Sequence, residues 1–301
     1  MIKLFTHTDL DGVGCSILAQ LAFGTNVDVE YCNYDEINEK VENFLDNSLD
    51  CDCHITDISI SEAVAEKIDK TNKKYKLLDH HQTALFLNKY YWCSVAVEDN
   101  DGVKTSGTAL YYEWLVNNNY LNKSDVLDKF VNTVRNYDTW LWTKLGDDGI
   151  ICKQINDLLY LYGRKKFIEW CITEIELESF PKLCDTDKVI LDIKQQEIDS
   201  YIKEKEKQLH VSELLGKSCG FVFAERFISE LGNTLCKLHP ELDFVAIINM
   251  SGVVSYRSTR DDIELGKDVA TVFGGGGHAK AAGSTFSKEV QLKVIEELFK
   301  C

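Results

Sequence analysis

The chain has 301 residues, of which 45% are hydrophobic and 27% are charged, and its formal net charge at pH 7 is −16. This composition is typical of a globular protein, and the length favours two domains. The negative charge argues against binding to long nucleic acid, whose affinity comes mainly from Lys and Arg, but it allows a small phosphorylated substrate. No apolar run approaches the roughly 20 residues that span a bilayer, and residues 1–5 are too few for the apolar core of a signal peptide. We therefore expect a cytoplasmic protein without a membrane partner.

The cysteines predict reduced thiols rather than a disulfide framework. They number eleven, which is odd, and they are scattered through a long chain with no secretion signal. Cys51, Cys53 and His54 lie close together, but no second pair follows at the spacing of a zinc finger. The sequence therefore does not favour a metal site at this cluster.

Strands and helices alternate over the first 140 residues. Alternating apolar residues predict strands, and apolar residues at helical spacing predict helices. The strands are predicted at residues 2–5, 27–31, 54–59, 75–78 and 92–97, and the helices at 13–23, 37–45, 62–71, 109–116 and 126–137. This order indicates an α/β domain built on a parallel sheet.

Acidic and imidazole side chains follow three of these strands. They are His7, Asp9 and Asp11 after the first strand, Asp57 at the end of the third, and Asp79, His80 and His81 after the fourth. In open α/β sheets, ligands bind at the carboxyl ends of the strands. The sequence therefore predicts a functional site along this edge.

Three of the candidate carboxylates have simpler explanations. Asp9 and Asp11 would lie on one side of an extended loop and repel each other without a cation, but an Asp-rich turn that caps a helix is a common alternative. Asp138 ends a helix among aromatic residues, where an unpaired carboxylate is costly. It is either a metal ligand or a helix cap or partner of Arg135.

The second half of the chain changes from helices to strands. Residues 150–209 are predicted to be helical, and their last part, 186–209, is a long charged connecting helix. Strands are then predicted at 220–224, 243–249 and 252–258, with a helix at 227–238. We therefore expect an N-terminal domain over residues 1–185, the connecting helix over 186–209, and a smaller α/β domain over 210–301.

Four consecutive glycines, residues 274–277, precede His278. Glycines allow backbone amides to approach a ligand closely, and a helix beginning after the run would favour an anion. The run lacks the lysine of a phosphate-binding loop, so a nucleoside triphosphatase is not expected.

Together these motifs resemble those of the DHH/DHHA1 phosphoesterase superfamily over essentially the whole chain. They are His7-Thr8-Asp9-Leu10-Asp11-Gly12, Asp57, Asp79-His80-His81, Asp138, Ser255-Tyr256-Arg257-Ser258 and Gly275-Gly276-Gly277-His278. Within the superfamily, the chain is most similar to the nanoRNase B branch of oligoribonucleases. The resemblance implies a parallel-sheet DHH domain, a helical linker and a smaller DHHA1 domain, with the active site in the cleft between the two domains.

The resemblance also implies two divalent metal ions, Mn²⁺ first, with Mg²⁺ or Co²⁺ as alternatives. The ligands would be His7, Asp9 and Asp57 for one ion, and Asp11, Asp57, His80 and Asp138 for the other. His81 would face the substrate phosphate and Asp79 would orient an imidazole, so Asp57, His81 and Asp79 are the candidate catalytic residues. Many relatives have His-x-x-x-Asp-x-Asp, whereas this chain has His-x-Asp-x-Asp, which leaves the role of His7 open.

The second domain is implied to bind the substrate. The candidate residues are Arg257, Gly275, Gly276, Gly277 and His278, with Arg260 and Lys280 adding positive charge. The implied activity is the hydrolysis of short RNA oligonucleotides to nucleoside monophosphates, with no long duplex as a partner. The alternatives are a phosphatase of 3′,5′-bisphosphorylated adenosine, a phosphodiesterase of linear or cyclic dinucleotides, and a non-catalytic nucleotide-binding sensor.

Overall fold

A computed structural model describes residues 1–47, 51–71 and 74–299 of the chain. The chain divides into two compact units, Met1–Leu191 and Asp192–Cys301. The division falls inside one long helix, so the chain passes from one unit to the other without a loop.

The first unit contains the alternating strands and helices that the sequence predicts. Its strands are β1 (Ile2–Thr6), β2 (Val27–Tyr31), β3 (Asp52–Thr56), β4 (Tyr75–Asp79) and β5 (Cys93–Val95). Its helices are α1 (Leu10–Phe23), α2 (Ile37–Asn47), α3 (Glu62–Asp69), α4 (Gly107–Asn117), α5 (Asp125–Asp138), α6 (Asp147–Tyr162) and α7 (Arg164–Glu176). Short 3₁₀ helices lie at Gly24–Asn26, Gln82–Lys89 and Leu141–Lys144.

The five described strands of this unit form one parallel sheet with the order β2-β1-β3-β4-β5. The predicted parallel sheet is therefore confirmed. In its register, Thr6 pairs with Thr56 and Thr56 pairs with Leu78. The three central strands thus end at the same level, and the residues that follow them come together at one edge.

Both faces of the sheet are buried, as parallel sheets require. Leu4 belongs to a core with Tyr111 and Phe130, whereas its neighbour Phe5 belongs to a second core on the other face with Ile55. Successive side chains of a strand point to opposite faces, which explains the split. The two cores hold the strand ends rigidly.

The predicted helical stretch over residues 150–209 is also confirmed. It consists of α6, α7 and α8 (Asp185–Glu206), with a break at Gly163 and another in the segment that contains Pro181. Over the described residues, none of the helices has the length and apolar content that crossing a membrane requires.

The second unit is built on a mixed sheet. Its strands are β6 (His210–Leu214), β7 (Lys217–Phe223), β8 (Phe244–Asn249), β9 (Val253–Arg257), β10 (Gly276–Gly277) and β11 (Ala281–Thr285), in the order β10-β11-β9-β8-β7-β6. The helices are α9 (Ile228–Leu238), α10 (Leu265–Asp268) and α11 (Lys288–Phe299), with a 3₁₀ helix at Ala270–Phe273. The three strands and the helix predicted here are confirmed as β7, β8, β9 and α9, whereas β6, β10 and β11 were not predicted.

The expectation that a helix begins directly after the glycine run is wrong. Gly276 and Gly277 instead pair antiparallel with Gly283 and Ala282, and β11 pairs in turn with β9. A Cβ atom on Gly275 would lie 2.0 Å from the carbonyl oxygen of Gly283. The glycines therefore allow close backbone packing in a hairpin, and no helix N-terminus lies there to attract an anion.

His54 offers a test of how the first unit is packed. It is buried in β3, and its Nδ1 lies 2.8 Å from the Tyr111 hydroxyl. Burial, together with the charge of Lys76, lowers the pKa of His54 from 6.5 to about 4. Because the unfolded chain binds a proton at a higher pH than the folded chain, the contribution of His54 to stability is complete above pH 6.5 and is lost as the pH falls toward 4.

We expect His54→Gln to reduce the dependence of the unfolding free energy on pH over this window, by roughly 2–3 kcal/mol in total. Tryptophan fluorescence during denaturation measures this directly, because all five tryptophans lie in the first unit. Glutamine retains a partner for Tyr111 but does not titrate. An equally steep pH dependence in both proteins would contradict this account.

Candidate metal centre

The predicted site residues of the first unit come together at the carboxyl edge of its sheet. His7 follows β1, Asp57 follows β3, and Asp79 is the last residue of β4. The register places these three strand ends side by side. The arrangement that the sequence predicted at this edge is therefore present.

One group of side chains consists of His7, Asp9 and Asp57. His7 Nδ1 lies 2.9 Å from Asp9 Oδ2 and 3.9 Å from Asp57 Oδ2. Asp9 also caps α1, because its Oδ1 accepts a hydrogen bond from the Gly12 amide at 3.1 Å. The short spacing between His7 and Asp9 thus still brings the imidazole to the carboxylates.

A second group forms around His80. Its Nε2 lies 3.2 Å from Asp57 Oδ1, 3.5 Å from Asp138 Oδ2 and 3.6 Å from Asp11 Oδ2. Asp57 is therefore shared: its Oδ2 faces His7 and its Oδ1 faces His80. Ligand atoms of His7, Asp9 and Asp57 all lie within 4.8 Å of one another, and so do those of Asp11, His80 and Asp138. Asp57 and His80 also form such a group with Asp79 and His81.

Asp79 and His81 form a third arrangement beside these groups. Asp79 is fully buried, and its Oδ1 accepts hydrogen bonds from the His80 amide at 2.8 Å and from His81 Nδ1 at 2.7 Å. The imidazole that Asp79 orients is therefore that of His81. His81 Nε2 points away from this carboxylate.

Several buried polar atoms of the centre make no hydrogen bond of acceptable geometry. They are His7 Nδ1, Asp57 Oδ2, Asp79 Oδ2 and His80 Nε2. Buried polar atoms almost always have a partner, so each exception calls for an explanation. Imidazole nitrogen and carboxylate oxygen are both ligands of divalent cations. The donor set therefore fits a metal centre.

The electrostatics of the centre also favour bound cations. Burial, followed by the charges of Asp11 and Asp9, raises the pKa of Asp57 well above its ordinary value, and the same causes raise the pKa of Asp138. Burial also favours a higher pKa for Asp9, but His7 and the Gly12 amide lower the pKa overall. The carboxylates thus concentrate negative charge that protons or cations neutralise.

The expectation of an extended loop for both Asp9 and Asp11 is wrong, because α1 begins between them. Asp11 lies in the first turn of α1, and its carboxylate accepts hydrogen bonds from the amides of Gly107 at 2.6 Å and Thr108 at 2.9 Å. These amides are the N-terminus of α4, where a negative charge is favoured. Asp11 is thus held by a helix that is distant in sequence.

Gly107 has a second role that sequence reasoning missed. A Cβ atom at this position would lie 2.5 Å from the Cβ of Asp57. Asp57 itself has φ +56°, which is uncommon for a residue other than glycine and often marks a functional site. The only sequence signal was that Ser106-Gly107-Thr108 opens a helix, which says nothing about its distant partners.

Tyr34 is a further residue that the sequence did not single out. Its hydroxyl oxygen lies 3.1 Å from His81 Nε2, and its ring centroid lies 5.1 Å from that of His7. It belongs to the turn between β2 and α2. No pattern in that turn distinguishes Tyr34 from an ordinary surface tyrosine.

The candidate substrate-binding residues of the second unit lie near β9 and the β10–β11 hairpin. Arg257 ends β9 and donates hydrogen bonds to the Tyr256 carbonyl and to Ser229 Oγ. His278 is exposed in the hairpin turn, and its amide donates to the Ala281 carbonyl.

The two additional cations form ion pairs within the second unit. Arg260 lies 2.7 Å from a carboxylate oxygen of Asp243 and 2.8 Å from one of Asp262. Lys280 lies 3.0 Å from Asp261 and also contacts the Arg260 carbonyl. Their positive charge is therefore largely matched by neighbouring carboxylates.

Comparison with known proteins identifies the family. No protein-family model matches the chain. The oligoribonuclease NrnB of Bacillus subtilis is 37% identical over 309 residues, covering 100% of this chain and 76% of that protein. The chain belongs to the NrnB oligoribonuclease family. The resemblance to the nanoRNase B branch noted from the motifs is thereby confirmed.

Solved structures support the same fold for this NrnB-family chain. The DHH domain of a member of a family of ribosomal proteins has a TM-score of 0.67 at 13% identity, covering 99% of this chain and 85% of that chain. RecJ of Thermus thermophilus in complex with Mn²⁺ has a TM-score of 0.64 at 12% identity, covering 97% of this chain and 50% of that chain. At these identities the similarity is one of fold.

The close approach of Gly107 to Asp57 leads to a prediction for the NrnB-family centre. We expect Gly107→Ala to lower the unfolding free energy of the first unit by about 1–3 kcal/mol, because the added methyl group overpacks the contact. The control is Glu113→Ala at an exposed position of the same helix, which should change the unfolding free energy by about 0.5 kcal/mol or less. Denaturation followed by tryptophan fluorescence compares the two. Equal or smaller destabilisation by Gly107→Ala would mean that the contact is not tight.

Proposed function

We propose that the protein is a metal-dependent exoribonuclease that degrades short RNA oligonucleotides to nucleoside monophosphates. The observation that carries this proposal is the position of Asp57, whose two carboxylate oxygens face two separate groups of His and Asp side chains. Such a shared carboxylate is suited to a pair of divalent cations acting on a phosphate. Membership of the NrnB family supports RNA as the substrate.

We infer the following ligands for the two cations. One is held by His7, Asp9 and Asp57, and the other by Asp11, Asp57, His80 and Asp138. Carboxylate oxygens and imidazoles without thiolates favour Mn²⁺ or Mg²⁺, and the structurally similar RecJ was solved with Mn²⁺. When bound, the cations would stabilise negative charge on the attacking and leaving oxygens of the phosphate.

The protein's own residues would position the substrate and the ligands. Asp79 accepts the Nδ1 proton of His81 and thereby directs His81 Nε2 toward the phosphate. The amides at the start of α4 fix the Asp11 carboxylate, so little reorganisation is needed when the substrate binds. Asp57, Asp79 and His81 are therefore the residues that we assign to catalysis.

We further infer that the second unit contributes substrate-binding residues. Arg257 is the main candidate, because a guanidinium binds phosphate through two parallel hydrogen bonds. The backbone of Gly275, Gly276 and Gly277 and the side chain of His278 would assist. Arg260 and Lys280 would contribute once their ion pairs with neighbouring carboxylates open.

The charge of the chain supports a short substrate. The first 209 residues carry most of the net charge of −16, since residues 210–301 contain ten Lys and Arg against twelve Asp and Glu. A long polyanion would meet repulsion that a few phosphates avoid. Short RNA is therefore favoured over duplex nucleic acid.

Hydrolysis of defined substrates tests the proposal. We expect the full-length protein with Mn²⁺ to shorten an end-labelled RNA pentamer stepwise and to release nucleoside monophosphates. Asp57→Asn should reduce the rate at least about 100-fold, because it removes charge shared by both ligand groups. The control is Asp101→Asn, which alters an exposed carboxylate in a turn away from the centre.

The same experiment separates the alternative activities. Bisphosphorylated adenosine and cyclic dinucleotides are incubated in parallel with the RNA pentamer. Faster turnover of either compound than of the RNA pentamer would identify that compound, rather than RNA, as the substrate. Binding of nucleotides without hydrolysis of any of them would indicate a sensor and contradict the assignment as an enzyme.

A further inference from the structure

Tyr34 lies at the exposed side of the metal centre. Its hydroxyl oxygen is 3.1 Å from His81 Nε2, and its ring packs edge-on against the His81 ring at a centroid distance of 5.9 Å. On its other side, the ring lies 5.1 Å from the His7 ring. Tyr34 thus contacts a candidate metal ligand and the candidate phosphate-facing residue.

The Tyr34 hydroxyl lies at the ring nitrogen of His81 that does not face Asp79. Asp79 as a carboxylate can only accept, so His81 Nδ1 donates in that 2.7 Å hydrogen bond. The Tyr34 hydroxyl lies at Nε2, and a hydroxyl can donate as well as accept. The Tyr34 hydroxyl is therefore placed beside the position that we assign to the substrate phosphate.

Packing in the hydrophobic cores does not explain the position of Tyr34. The residue is 52% exposed and does not belong to the hydrophobic cores of the described structure. Other hydrogen bonds hold the turn that carries it. The Asn33 side chain accepts a hydrogen bond from the Thr8 hydroxyl at 3.4 Å, and the Asn33 backbone amide donates a hydrogen bond to the Glu36 carboxylate at 3.3 Å. The turn therefore does not depend on the Tyr34 side chain for its anchoring.

We propose that Tyr34 is a substrate-binding residue whose hydroxyl donates a hydrogen bond to the scissile phosphate beside His81. The inference rests on the proposed function, because it takes a phosphate ester as the ligand. A phosphate oxygen is a charged acceptor, and hydrogen bonds to charged acceptors are stronger than those between neutral groups. Tyr34 thereby adds a neutral donor at the edge of an acidic centre, where no lysine or arginine of the first unit contacts His81 among the described residues.

Binding of inorganic phosphate and adenosine monophosphate to the Mn²⁺-loaded full-length protein tests this role. We expect Tyr34→Phe, which keeps the ring and removes the hydroxyl, to weaken both affinities about 10–100-fold, as measured by calorimetry. Its kcat/KM on the RNA pentamer should fall by a similar factor. Tyr91→Phe is the matched control, because Tyr91 is 88% exposed and lies outside the centre.

A metal titration shows whether Tyr34→Phe affects the binding of the metal rather than the binding of phosphate. The rise in unfolding temperature caused by Mn²⁺, followed by tryptophan fluorescence, should be the same in Tyr34→Phe and in the unmodified protein. Loss of that rise in Tyr34→Phe would mean that Tyr34 supports the metal centre. Equal phosphate affinity in the two proteins would mean that Tyr34 does not contact the phosphate. Either result overturns the proposal. If the unmodified protein hydrolyses no RNA but Tyr34→Phe still weakens phosphate binding, the role of Tyr34 stands and the ribonuclease assignment falls.

Discussion

The repulsion among buried carboxylates is the constraint on which this site depends. Asp11, Asp57 and Asp138 converge within 3.6 Å of a single nitrogen of His80. Two like charges about 4 Å apart repel by about 4 kcal/mol at an effective dielectric constant of about 20. A fold that merely needed stability would not gather these side chains, because burial and repulsion both raise the pKa of Asp57. Bound positive charge shared among these carboxylates would offset their repulsion and account for the arrangement.

The surrounding structure holds the carboxylates against this repulsion. The parallel register brings the strand ends level, the α4 amides bind Asp11, and Gly107 leaves room for the unusual backbone of Asp57. Each of these features acts on a different residue of the centre. Since all are backbone features of a doubly covered sheet, the geometry does not rely on flexible side chains for support.

The sequence was sufficient to predict most of the side chains that meet at the candidate metal centre. Strand periodicity located His7, Asp57 and Asp79 at strand ends, and a parallel sheet brings such ends together whatever the details of packing. The resemblance to the DHH superfamily added Asp138, which ends a helix rather than a strand. The shared position of Asp57 also follows from this combination, and the interatomic distances agree with it. Contacts between distant segments could not be predicted in this way. The pairing of Asp11 with the Gly107 amide depends on how α1 packs against α4, which local patterns do not encode. The glycine run was misjudged because four glycines permit a hairpin as readily as a helix start, and the pairing of β11 with β9 decides between them.

We propose that Asp57 serves two adjacent cation sites. Electron paramagnetic resonance of the protein during titration with Mn²⁺ can detect such a pair, because two Mn²⁺ ions that share a carboxylate are magnetically coupled. We expect a coupled signal that reaches its maximum at two ions per chain and disappears in Asp57→Asn. A single bound ion, or two ions without coupling in the unmodified protein, would contradict it.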